Sequence, residues 1–168
     1  MELGGKAPAV VCADADIDRT AQALVWGAFA NSGQICASVE RVYAHEAVYD
    51  SLVSKVVEQT RRLRQGDPSS FSTDVGAVCF PRQIEVAQTL IDDAVEKGAQ
   101  VLTGGQRLER GEGMFFAPTV LTGVDHGMRI MHEESFSPLM PIMKVRSQEE
   151  AIRLANDSKL GLLGYVFS

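Results

Sequence analysis

The run APAVVCADADIDRTAQALVWGAFANSGQICASVERVYAH (residues 7–45) holds a complete strand–helix–strand unit. Its first seven residues are apolar and include β-branched side chains, the pattern of a buried strand. Asp16 can cap a helix running through about Ala30, because Ile17, Thr20, Ala21, Leu24, Val25 and Ala28 share one face at helical spacing. Asn31-Ser32-Gly33 stops that helix. Residues 40–45 (ERVYAH) then alternate polar and apolar side chains as a strand does.

The same alternation of elements continues downstream. Val48, Leu52, Val53, Val56 and Val57 mark a helix from Ala47 to about Arg64, followed by a Gly-, Pro- and Ser-rich loop at 65–73. Pro81 opens a further helix that carries Ile84, Ala87, Leu90, Ile91, Ala94 and Val95 and ends at Lys97-Gly98. A short strand is expected at 100–102. Residues 115–121 should be extended, with Pro118 confining them to an edge or an irregular segment. Residues 139–145 read as a strand, and Ser147-Gln148-Glu149-Glu150 as a capping box opening a helix through about Asn156. Strands alternating with helices predict an α/β fold with a mostly parallel sheet flanked by helices.

Composition narrows the function classes. The chain has 168 residues, 45% hydrophobic, enough for one well-buried domain. A net charge of −6 with dispersed Lys and Arg argues against a nucleic-acid or anionic-membrane partner. No apolar stretch approaches the roughly 20 residues that span a bilayer, and no signal peptide opens the chain. Cys12, Cys36 and Cys79 form no CxxC and fit the reduced thiols of a cytoplasmic enzyme. His45, His126 and His132 lack metal-ligand spacing, so no metal site is expected. The first motif begins at residue 2 and residues 164–168 read as a strand cut short, so the chain reads as part of a longer protein.

Two segments carry chemistry. Asn31-Ser32-Gly33-Gln34-Ile35-Cys36 sets one thiol after a Gly-containing turn, with small residues Ala37 and Ser38 beyond it. Glu2-Leu3-Gly4-Gly5-Lys6 brings a carboxylate on another loop. A nucleophilic sulfur must be exposed, oriented and partly ionised, and a hydrolytic step needs a base to activate water. Cys12 and Cys79, each with apolar neighbours, read as small buried hydrophobes.

These two segments resemble the E-L-G-G-K and G-Q-x-C signatures of the aldehyde dehydrogenase superfamily, in order and in spacing. Glu133-Glu134-Ser135-Phe136-Ser137-Pro138 is similar to that family's E-E-x-F-G-P, with Ser137 in place of the usual glycine. Arg41, the Gly113, Phe116, Pro118 and Thr119 set, and Asn156 with Gly161-Leu162 match family positions read as architectural.

The resemblance implies a catalytic domain over residues 1–168, with the dinucleotide-binding domain upstream and the carboxyl-terminal end of the family fold outside the chain. It implies that Cys36 attacks an aldehyde to give a thiohemiacetal, that NAD or NADP takes the hydride to leave a thioester, and that Glu2 activates the water that releases the acid. Glu134 would bond the nicotinamide ribose, Phe136 would pack near the nicotinamide, and Gln83 would contact the cofactor ribose. It further implies a small-molecule aldehyde substrate and a homo-oligomer in the full-length protein. The isolated segment is expected to be inactive as a dehydrogenase. Two other readings stay open: a structural or oligomerising domain without chemistry, and a cofactor-independent thiol esterase using Cys36 and Glu2.

Overall fold

The computed structural model describes residues 3–110 and 113–168. In chain order the elements are β1 (Ala7–Val11), α1 (Ile17–Phe29), β2 (Val39–His45), α2 (Glu46–Arg61), α3 (Pro81–Glu96), β3 (Gln100–Thr103), β4 (Arg107–Arg110), β5 (Gly113–Phe116), β6 (Thr119–Thr122), β7 (Leu139–Val145), α4 (Gln148–Asn156) and β8 (Tyr165–Phe167). Six strands form one sheet in the order β3-β6-β7-β2-β1-β8. Every neighbouring pair in it is parallel except β3 with β6. The fold is therefore α/β with a mostly parallel sheet and flanking helices.

Each face of the sheet has its own core. Leu24, Val25 and Ala28 of α1 and Leu52 and Val56 of α2 pack with Ala9, Val42, Ala44 and Ile142 on one side. Leu90, Ile91 and Ala94 of α3 and Ala151 and Leu154 of α4 pack with Val10, Tyr43 and Leu121 on the other. Burying a side chain of this kind contributes about 1.5–3 kcal/mol, so the paired cores are what fix the sheet between its helices. The helix starts follow the sequence closely. Asp16 accepts the Arg19 amide at 3.1 Å, Pro81 opens α3, and Ser147 accepts the Glu150 amide at 3.2 Å while Glu150 accepts that of Arg146 at 2.7 Å.

Three features depart from the sequence-based expectation. The hairpin β4–β5 is an antiparallel pair outside the main sheet; Phe115 and Phe116 of β5 fall in the segment expected to be extended, but β4 and the pairing have no counterpart in the sequence reading. Of the two expectations for Pro118, the irregular segment holds and the edge does not: the strand is interrupted at Ala117-Pro118, and β6 begins at Thr119 inside the sheet between β3 and β7. The imide nitrogen thus falls between two strands, where no ladder bond is needed.

The third departure is in β2, where the polar residues do not face water. Ala7 pairs with Val39 but Pro8 pairs with Arg41, so Glu40 is the extra residue of a bulge. Val39 consequently packs in the same core as Val42 and Ala44, a face that strict alternation would give to Glu40. Glu40 and Arg41 are both buried.

Candidate active site

β7, β2 and β1 are adjacent and parallel, so the loops that precede them meet at one rim of the sheet. Those loops are residues 133–138, 31–38 and 3–6. They enclose a cleft of about 400 Å³ lined by Leu3, Gly4, Gln34, Ile35, Cys36, Glu134 and Phe136. A larger depression of about 950 Å³ lies beside Trp26, Phe29, Tyr165 and Phe167, but it holds no thiol and is walled mainly by apolar side chains. Chemistry, not volume, separates the two.

The thiol loop is built from strained backbone. After α1, Asn31, Ser32 and Gly33 take three successive left-handed conformations, at φ 51°, 60° and 71°. Side-chain bonds hold the two non-glycine residues there: Asn31 Nδ2 donates to Gln34 O at 3.1 Å, and Ser32 Oγ to Gly76 O at 2.7 Å. Gly33 has no substitute, because a Cβ would sit 2.3 Å from Ser137 O. The Gln34 side chain donates to Asn31 O at 2.8 Å and accepts the Cys79 amide at 2.8 Å, fastening the loop to the segment before α3. Cys36 emerges exposed at the end of this scaffold.

Segment 3–6 runs between the thiol loop and Glu134. A Cβ on Gly4 would lie 2.8 Å from Glu134 Oε2, and one on Gly5 would lie 2.1 Å from the Cys36 carbonyl oxygen. The Gly5 amide donates to Glu134 Oε1 at 2.8 Å. Glu2, the candidate base, lies outside the described residues. Glu134 is half-buried, and among the described residues no hydrogen bond engages its Oε2.

Beneath the cleft, Lys6 donates to Glu40 Oε2 at 2.7 Å, with side-chain exposures of 0% and 3%. Burial pulls the Lys6 ammonium below its ordinary value, and the adjacent Glu40 carboxylate counters this only in part. Glu40 also accepts the amides of Ser135 at 2.8 Å and Phe136 at 2.9 Å. Phe136 is itself left-handed, at φ 45°.

Cys36, Glu134 and Phe136 thus share one cleft. Gln83 does not line it; its Nε2 donates to Ser135 O, behind the 133–138 loop. Ser137 needs no glycine conformation, since it is absent from the positive-φ residues, and its buried hydroxyl donates to Ser135 O at 2.9 Å. Cys12 is buried, and that burial raises its thiol above the ordinary value. Cys79 is exposed, which corrects its reading as a buried hydrophobe: Val78 turns inward while Cys79 and Phe80 face outward at the mouth of α3.

Sequence reasoning passed over Lys6, Gln34 and Glu40 as organisers of the site. Opposite charges near the starts of two apolar strands, Lys6 before β1 and Glu40 within β2, were the available signal. Among the described residues no group of three or more His, Cys, Asp or Glu side chains could hold a metal ion, and no helix is long and apolar enough to cross a membrane.

The Aldehyde dehydrogenase family model matches residues 1–168, and the chain belongs to that family. It is 41% identical over 165 residues to a 3,6-anhydro-alpha-L-galactose dehydrogenase of Vibrio sp. (strain EJY3), covering 96% of this chain and 34% of that protein. It is 41% identical over 168 residues to succinate-semialdehyde dehydrogenase [NADP(+)] 2 of Schizosaccharomyces pombe, covering 100% of this chain and 34% of the relative. The crystal structure of a Burkholderia pseudomallei succinate-semialdehyde dehydrogenase superposes with a TM-score of 0.96 at 39% identity, covering 100% of this chain and 35% of that one. The chain therefore spans about a third of the length of the curated relatives it matches.

Proposed function

We propose that this chain supplies the thiol-bearing catalytic part of an NAD(P)-dependent aldehyde dehydrogenase that converts an aldehyde to its carboxylic acid. The observation that carries the reading is the convergence of an exposed Cys36 with Glu134 and Phe136 on one cleft, from loops far apart in sequence.

Cys36 Sγ adds to the aldehyde carbon, and the carbonyl oxygen takes the negative charge of a thiohemiacetal. Amide donors near the sulfur are the elements that stabilise such an oxyanion. NAD(P)+, when bound, supplies the hydride acceptor that turns the thiohemiacetal into a thioester. Glu2 then takes a proton from water, the resulting hydroxide attacks the thioester carbon, and the acid leaves as the Cys36 thiolate is restored.

The residues on the cleft suit one end of such a cofactor. Glu134 keeps Oε2 available as an acceptor for a ribose hydroxyl, and Phe136 offers an aromatic face beside it. Gln83, tied to Ser135 O, acts on the ribose through the loop it supports. The adenine end would be held by the part of the enzyme outside this domain. The free thiols agree with a cytoplasmic setting.

The test is aldehyde-dependent formation of reduced nicotinamide by a full-length enzyme carrying this segment. Activity lost in both Cys36→Ser and Glu2→Gln supports the assignment. Full turnover in Cys36→Ser would overturn it. Cofactor-free ester hydrolysis by the isolated chain, abolished by Cys36→Ser, would favour the esterase reading, and no chemistry at all in the full-length enzyme would favour a structural role.

A further inference from the structure

We propose that Glu40 is a positioning residue for cofactor binding: its buried carboxylate locks the 134–136 backbone to the amino-terminal glycine segment. This role presupposes that Glu134 and Phe136 grip the cofactor, as proposed above.

The geometry is specific. One carboxylate, with a side-chain exposure of 3%, receives three donors: Lys6 Nζ at 2.7 Å, the Ser135 amide at 2.8 Å and the Phe136 amide at 2.9 Å. The second amide belongs to Phe136 itself, whose left-handed conformation is otherwise unfavourable for an aromatic residue. Lys6 directly follows Gly4 and Gly5, the residues packed against Glu134 and the Cys36 carbonyl. Glu40 therefore bridges the segment beside Glu2, the strand after Cys36, and the loop bearing Glu134 and Phe136.

The bulge opposite Ala7 and Pro8 leaves Glu40 without a cross-strand partner on β1. A buried ion pair is weak support for stability, because desolvation offsets much of its attraction. Fixing three loops in one register is a separate use of the same charges.

The experiment is carried out on the full-length enzyme with two variants. Glu40→Gln combined with Lys6→Met removes both charges at nearly constant volume. Glu40→Asp keeps the carboxylate charge but shortens its reach to all three donors. Cofactor affinity is read by quenching of protein fluorescence with NAD(P)+ alone, alongside KM for cofactor and aldehyde and the rate of Cys36 alkylation. The expected result is a cofactor Kd weakened about tenfold, the scale of one buried donor left unpaired. Aldehyde KM and alkylation should stay within about twofold, because a positioning loss falls on the cofactor alone.

Wild-type cofactor affinity in a folded variant overturns the proposal. So does a uniform loss of every readout, or failure of both variants to fold, since either makes Glu40 a stability residue only. A wild-type enzyme that oxidises no aldehyde defeats the proposed function itself, and this role with it; an active wild type with unaltered variants defeats this role alone.

Discussion

Gly5 presses against the carbonyl oxygen of Cys36, leaving 2.1 Å for a Cβ that glycine does not have. The obstacle is backbone, not the end of a flexible side chain, so one of the two segments must move if a methyl is added. Gly5→Ala should lower turnover of the full-length enzyme by about 100-fold, the usual result of misplacing a reacting group by about 1 Å. Steady-state kinetics with a melting curve on the same sample checks this. Wild-type turnover in a folded Gly5→Ala protein would show that the contact yields freely.

Thiol exposure predicts a labelling pattern. Cys36 and Cys79 are exposed while Cys12 is buried with a raised pKa. Iodoacetamide under native conditions should modify Cys36 and Cys79, with Cys12 reacting only after denaturant is added, as peptide mass spectrometry would record. Cys79→Ser should leave aldehyde oxidation unchanged. Early modification of Cys12 would contradict the packing of β1.

Arg41 is a buried guanidinium with four acceptors. It donates to Lys6 O at 2.9 Å, Tyr43 Oη at 3.0 Å, Leu154 O at 3.4 Å and Ala155 O at 2.8 Å. A lysine ammonium cannot reproduce that fork, and each buried acceptor left unpaired costs about 1–3 kcal/mol. Arg41→Lys should therefore destabilise the fold by about 3 kcal/mol. Urea unfolding would measure it, and a loss near zero would mean the carbonyls find other donors.

Acid should weaken the fold through His126. Its Nε2 meets Tyr43 Oη at 2.8 Å and its Nδ1 meets Asp157 Oδ2 at 3.0 Å, an arrangement the neutral ring satisfies with hydrogen on Nδ1. Burial is the main cause that lowers its pKa below 6.5, and the neighbouring His132 adds to it, against the pull of Asp157. The unfolded chain therefore takes up the proton first as pH falls. The associated stability is complete above 6.5 and is lost as pH drops through the folded value beneath it. His126→Gln should flatten the dependence of urea midpoint on pH below 6.5. A variant as acid-sensitive as the parent would assign the effect to other groups.

Much of this was legible in the sequence because short-range rules govern it. The cap at Asp16, the proline at the start of α3 and the box at Ser147 that located α4 act within a turn, and apolar spacing located α1 to α3 and most of the sheet. The β4–β5 pair escaped because Arg107–Arg110 carries almost no apolar signal and owes its form to Phe115 and Phe116 opposite. The bulge at Glu40 escaped because it depends on which residue of β1 lies alongside β2. For the site, Cys36, Glu134 and Phe136 were readable from motif resemblance. Their anchoring by Lys6, Glu40 and Gln34 was not, since hydrogen bonds across the sheet leave no spacing in the chain.

The amide of Gly5 and the carboxylate of Glu134 that accepts it stand 129 positions apart, joined only once β7 lies against β2 and β2 against β1. A nascent or partly unfolded molecule holds a sulfur but not the surroundings that aim it. On the function proposed above, the surroundings of the thiol are therefore complete only after the last inner strand has docked. During refolding, selective alkylation at Cys36 should appear later than helical circular dichroism, in step with closure of β7.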